Sequence, residues 1–171
     1  MKDQEKIFIE AHNIYSDQIF RFVLFRLNDR ERSKELTQEV FMKTWVYISE
    51  HGELKNIRAF LYKVASNMVV DEYRKKGRAS ITSLDSLMEY GYDVGVDEKE
   101  TNLDRLEGSQ ILNLARNLPQ SYSEVIFMRY VEELSISEIS NIVGQSSNII
   151  SVRLNRGMKK LKDLFDKKIK K

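Results

Sequence analysis

The 171-residue chain is predicted to be all-α, with two small helical domains joined by a flexible acidic linker. Three observations predict this. Apolar residues recur three and four positions apart through 5–27, 33–49, 57–76 and 118–165, the period of helices packed on one side. One proline and seven glycines are too few turn-formers for a loop-rich or many-stranded fold. From Gly77 to about Asn102 the periodicity fails, and small, polar and acidic residues replace it. The expected organisation is therefore a helical domain at 1–77, a linker at 78–104 and a second helical domain at 105–171.

The first helix is expected over 5–27, with Ile7, Phe8, Ala11, Ile14, Tyr15, Ile19, Phe22 and Val23 on its buried side and Phe20, Phe25 and Leu27 widening that stripe. Asn28-Asp29 breaks it. A second helix begins at Asp29 or Ser33, runs to Ser49 and is closed by His51-Gly52. It buries Leu36, Val40, Phe41, Thr44, Trp45 and Ile48, and its other face carries Glu35, Gln38, Glu39 and Lys43. Asn56 is the expected cap of a third helix over 57–76, carrying Ile57, Phe60, Leu61, Val64 and Met68, with a bend at Val69-Val70, where two β-branched residues weaken helix propensity.

The second half is organised around Leu118–Phe165. Pro119 sits where a first helical turn tolerates a missing N–H. Ser135-x-x-Glu138 has capping-box spacing and should open a short helix that Gly144 ends, since glycine enters a left-handed C-cap freely. A last helix starting near Ser147 or Asn148 carries Ile150, Leu154, Met158, Leu161 and Phe165 as its core stripe. Opposite that stripe lie Ser147, Asn148, Ser151, Arg153, Asn155, Arg156 and Lys159, with no carboxylate before Asp163. This is a helix-turn-helix whose second helix presents an amide-bearing, cationic face suited to a DNA major groove. The bland alternative, a solvated face, usually mixes both signs of charge.

The net charge of +2 is nearly neutral, so affinity for nucleic acid must come from local asymmetry. From Arg153 to Lys171 nine Lys or Arg face two Asp; from Ile81 to Asp104 seven carboxylates face Lys99 alone. The acidic run reads either as a solubilising segment or as a polyanion able to occupy a basic channel on a partner. There are no cysteines, hence neither disulfides nor thiolate metal sites. No stretch has the length of apolar residues needed to span a bilayer and no signal peptide is evident, so a cytoplasmic location without membrane insertion is expected. His12 and His51 stand apart in no ligand-spaced motif, and no Gly-rich phosphate loop is present, so neither a cofactor nor an enzymatic activity is expected.

Two further clusters point to binding. Asn67, Asp71, Tyr73, Arg74 and Lys75 join an amide, an aromatic and cations, a set that fits single-stranded or distorted DNA, although a helix ending in basic residues also answers its own dipole. Glu35, Gln38 and Glu39 form either a solvated face or a polar protein-binding surface.

KELTQEVFMKTW at 34–45, IRAFLYKVASNMVVDEYRKK at 57–76 and LPQSYSEVIFMRYVEELSISEISNIVG followed by SSNIISVRLNRG at 118–157 together resemble the sigma factors of bacterial RNA polymerase, and more narrowly the extracytoplasmic-function group. The resemblance implies that the N-terminal domain is region 2, docking on the clamp of the polymerase largest subunit through Glu35, Gln38 and Glu39 and opening the −10 promoter element. It implies that Asn67 falls where a specificity loop captures a base flipped from the non-template strand, and that Arg74 and Lys75 follow the −10 backbone. The C-terminal domain is then region 4, reading the −35 element and binding the flap of the second-largest subunit. The acidic linker becomes a connector through the RNA-exit path. Core polymerase and promoter DNA are the implied partners, with an anti-sigma factor as a further candidate.

The sequence departs from the family pattern in places. Gln145 replaces an aliphatic residue, Ile149 a threonine and Ser151 a cation, so the −35 sequence cannot be borrowed from relatives. Gly157 replaces a frequent alanine, a loss of about 1 kcal/mol of helix propensity, and Phe60 stands where many relatives have tryptophan. The expected function is promoter-specific transcription initiation. The alternatives are a helix-turn-helix regulator independent of polymerase, whose sensor half would normally carry strands, and a protein-binding helical adaptor.

Overall fold

The computed structural model describes residues 2–52, 54–77 and 103–169, with the surroundings of side chains given for 3–52, 54–77 and 108–169. Seven helices run along them: α1 (Lys2–Leu27), α2 (Arg30–His51), α3 (Ile57–Lys75), α4 (Leu103–Arg116), α5 (Gln120–Tyr130), α6 (Ile136–Val143) and α7 (Ser147–Ile169). No strand occurs among the described residues. One compact unit is built around α1–α3, and a second around α4, α5 and α7. The expected acidic connector lies outside the described residues, except that Leu103 and Asp104 open α4.

In the first unit the core is formed by Ala11, Ile19, Phe22, Val23, Phe25 and Leu27 of α1, Leu36, Val40, Phe41 and Ile48 of α2, and Leu61, Tyr62, Ala65, Met68 and Val69 of α3. Phe8 meets Trp45 with ring centroids 5.1 Å apart, and Phe22 meets Tyr62 edge-on at 5.4 Å. Ile7 and Ile14, expected in this core, are exposed. At 3.6 residues per turn, Ile7 sits roughly 100° around the helix from its neighbour Phe8, off the packed side. Thr44 is fully buried because its hydroxyl donates to the Val40 carbonyl at 2.8 Å, which leaves only its methyl to be packed. Asp29 and Asn56 cap α2 and α3, each side chain accepting a backbone N–H three residues on. The bend expected at Val69-Val70 does not interrupt the helix: α3 runs continuously through both.

A charged group ties α2 to α3. Arg32 donates from Nε and Nη2 to the two carboxylate oxygens of Glu72, each at 2.8 Å. Glu72 is only 8% exposed. The guanidinium fork holds the Glu72 carboxyl below the usual carboxylate range, against the opposing effect of burial.

In the second unit the capping box forms as predicted: the Ser135 N–H donates to Glu138 Oε2 at 2.8 Å and the Glu138 N–H to Ser135 Oγ at 3.1 Å. Gly144 ends α6 at φ +73°, and the Ser146 hydroxyl receives the Ile149 N–H, so α7 starts one residue after its cap. Pro119 is itself the N-cap of α5, one position earlier than expected, and its carbonyl accepts the first helical bonds from Tyr122 and Ser123. α4 is an additional helix, not separately anticipated, though Ile111, Leu114, Ala115 and Leu118 follow helical spacing.

The core stripe of α7 differs from expectation. Ile150, Leu154, Gly157 and Leu161 are buried, while Met158 and Phe165 are 38% and 36% exposed. They line an apolar groove with Ile111, Leu114 and Leu161 between α4 and α7. The buried line of α7 instead passes through Gly157. A Cβ there would stand 2.9 Å from Ile126 Cδ1 and 3.1 Å from Tyr122 Cβ of α5. The Ile126 methyl can swing aside, but Tyr122 Cβ is fixed to its backbone. The missing side chain lets α7 approach α5 at Gly157, and Met158, roughly 100° further round the helix, falls beside that contact.

Two outcomes follow from this packing. Glu72→Gln should lower stability at pH 7 by about 2 kcal/mol. Because the folded carboxyl titrates below its ordinary value, the lost contribution is present at neutral pH and disappears as pH falls below about 4.3. Denaturant titrations should therefore converge for variant and wild type in acid. Gly157→Ala should fail to give the gain of about 1 kcal/mol that propensity alone predicts. Gly157→Leu should cost about 2–3 kcal/mol in the unfolding transition of the second unit.

Candidate nucleic-acid interface

Each unit carries a stripe of polar side chains directly opposite its core. On α3, Asn67, Asp71, Arg74 and Lys75 are exposed, and at spacings of four, three and one they occupy one outward face. Arg74 Nη1 pairs with Asp71 Oδ1 at 3.2 Å. The pair is well exposed and adds little stability, but it aims the guanidinium. Lys63, four residues before Asn67 and exposed, extends the stripe; it was not among the predicted residues, and the same spacing would have found it. Asn67 sits within the continuous helix α3 and not in a loop. Tyr73 is half-buried, and its hydroxyl donates to the Arg26 carbonyl, tying α3 to α1.

On α2, Glu35 and Gln38 are exposed and Glu39 is half-buried. Glu35 and Glu39 are held by the same residue as Glu72: Arg32 Nη1 lies 2.9 Å from Glu35 and 3.1 Å from Glu39. Met42 and Val46 continue this ridge at spacings of three and four, and they are 64% and 47% exposed. The sequence reading missed both, although the run 35, 39, 42, 46 has the same period as the buried stripe and differs from it only in phase. The ridge is thus charged at its N-terminal end and apolar at its C-terminal end. Between α2 and α3 a cleft is lined by Arg32, Glu39, Lys43, Asp71, Arg74 and Lys75, so the predicted polymerase-facing and DNA-facing residues share one boundary.

On α7 the outward face carries Asn148, Asn155, Arg156 and Lys159, all exposed. Ser147 is exposed at the first position of the helix. Ser151 and Arg153 are half-buried and flank this face, and the Ser151 hydroxyl donates to the Ser147 carbonyl at 3.0 Å. Ile149 and Val152, each 39% exposed, lie on the same face. The face is therefore not uniformly polar. Two apolar side chains stand among the amides and cations. Behind it, Arg129 Nη1 donates to the Leu134 carbonyl at 2.9 Å and closes the turn between α5 and α6, which fixes the entry of the helix-turn-helix.

Residues 12–79 match the family described as Sigma-70 region 2, and residues 109–161 match Sigma-70, region 4. The chain is 26% identical over 174 residues to the ECF RNA polymerase sigma factor SigW of Bacillus subtilis (strain 168), covering 95% of this chain and 93% of that protein. It is also 26% identical over 159 residues to the ECF RNA polymerase sigma factor SigM of the same organism, covering 92% and 94%. Among solved structures, the sigma factor RpoE in complex with the anti-sigma factor NepR from Bartonella quintana has a similar fold, with TM-score 0.70, 19% identity, and 94% of this chain and 98% of that one covered. CnrH in complex with the cytosolic domain of CnrY gives 0.69 at 18% identity, with 95% and 89% covered. Both sigma-70 regions fall, in order, on the helices that carry the exposed stripes, and the relatives align along nearly their whole length. The chain belongs to the sigma-70 family, as a sigma factor of the extracytoplasmic-function group.

Proposed function

We propose that this protein binds core RNA polymerase and directs it to promoters by gripping the DNA at two points, the −10 element through α3 and the −35 element through α7. The observation that carries this reading is the pair of outward stripes, Asn67–Lys75 and Asn148–Lys159, on two separately packed units that match regions 2 and 4. Region 4 positions the complex. Asn67 then selects a base from the opened −10 strand, Lys63, Arg74 and Lys75 neutralise its phosphates, and strand separation is stabilised by capture. Ile149 and Val152 add apolar readout within the −35 groove. The ridge Glu35–Val46 docks on the clamp of the largest subunit, its carboxylates meeting cations and Met42 and Val46 packing against apolar side chains, while region 4 engages the flap of the second-largest subunit.

The protein works by binding in the cytoplasm and performs no chemistry of its own. No helix among the described residues is long and apolar enough to cross a membrane. An anti-sigma factor is a further partner, by likeness to the complex of RpoE with the anti-sigma factor NepR. A regulator acting without polymerase is disfavoured by the region 2 match over the N-terminal unit.

Reconstitution with core polymerase tests the reading: transcription should start at a discrete set of genomic promoters, and no start sites above those of core enzyme alone would refute it. In that system Asn67→Ala should reduce open-complex formation at least about ten-fold while core affinity stays within about two-fold; a loss of core binding would remove Asn67 from the −10 contacts. Arg153→Ala should weaken promoter binding and reduce the slope of log K against log salt by about 1, and an unchanged slope would take Arg153 out of the phosphate contacts.

A further inference from the structure

We infer that Arg32 is a positioning residue that couples the polymerase-docking face of α2 to the −10-binding face of α3. The inference rests on the function proposed above. A guanidinium has five N–H donors in a rigid plane. Arg32 uses four of them on three carboxylates: Nε and Nη2 on Glu72, and Nη1 on Glu35 and Glu39. Its side chain is 23% exposed, so the cluster is partly screened from water, with Glu72 at 10%, Glu39 at 39% and Glu35 at 65% forming a gradient from interior to surface.

Glu72 is adjacent to Asp71 and lies two and three residues before Arg74 and Lys75, so the fork on its carboxylate fixes the rotation of the last turn of α3. The same plane fixes the rotamers of Glu35 and Glu39 on the docking ridge. One planar group thus sets both surfaces, and a partner cation arriving at Glu35 or Glu39 meets side chains already ordered. Lysine can supply the charge but not the geometry: its ammonium donors cannot span two oxygens of one carboxylate and two further carboxylates in a single plane. The cluster carries one cation against three anions, which leaves a net negative ridge for a cationic partner while the buried member stays neutralised.

Two affinities are to be measured with the full chain: that for core polymerase, by fluorescence anisotropy, and that of the saturated holoenzyme for a single-stranded −10 oligonucleotide. Glu35→Gln combined with Glu39→Gln should weaken core binding alone, and Glu72→Gln the oligonucleotide alone, each by about five-fold or more. Arg32→Gln should weaken both to that degree, and Arg32→Lys, which keeps the charge without the planar fork, should leave both defects in place. Circular dichroism at the assay temperature identifies the folded variants; should Arg32→Gln not fold, Arg32→Lys decides. Wild-type affinities for both ligands in the folded Arg32→Lys and Arg32→Gln proteins would overturn the inference, as would a defect in only one of them for either variant. A wild-type chain that binds neither core polymerase nor the oligonucleotide refutes the sigma reading itself, and with it this coupling.

Discussion

A helix in a small bundle can bury only one side, and almost everything in this protein depends on that division. The 3.6-residue period places Leu36, Val40, Thr44 and Ile48 on the inner line of α2 and Glu35, Glu39, Met42 and Val46 on the outer line. The same division separates Ile150, Leu154 and Leu161 of α7 from Asn148, Asn155, Arg156 and Lys159. The inner line supplies the free energy that makes each unit fold. The outer line is left without a structural task, and it is there that amides, cations and stray apolar side chains collect. Function in such a fold is carried by phase within a shared period.

That is why so much was readable from the residues alone. The caps at Asn56 and Ser135 and the stop at Gly144 are local chemistry, decided within four residues, and each appears where expected, while Asp29, expected only at the break before α2, turns out to cap it. Most of the buried positions followed from spacing. The misreadings share a different cause. Ile7, Ile14, Met158 and Phe165 are apolar and fit the period loosely, yet whether they are covered depends on which helix lies beside them and how closely. On α7 the buried line runs through Gly157 against Ile126 and Tyr122 of α5, neighbours that no window on α7 contains.

The candidate sites were legible to a similar depth. Residue type and order singled out residues that the fold leaves on outward faces of α2, α3 and α7, and helical phase adds Lys63, Met42, Val46, Ile149 and Val152 to the same faces. The Arg32 cluster lay beyond any sequence reading, because Arg32 and Glu72 are forty residues apart and only the crossing of α2 and α3 brings them together. Tyr73 shows the converse. Its composition suggested a stacking platform, and in the fold its hydroxyl is engaged by the Arg26 carbonyl, so its ring is anchored at one end.

The absent side chain at Gly157 has a consequence for how promoter preference can change. At that point α7 brings its bare backbone against Ile126 and Tyr122 of α5, with no side chain of its own between. The direction in which α7 points is therefore independent of the residues on its far face. Under the proposed reading of the −35 element, Asn148, Val152 and Asn155 can be exchanged for other side chains to favour other bases, while the angle of presentation stays the same. Aim and address are separate properties of this helix, and a lineage of such proteins can diversify the second while inheriting the first.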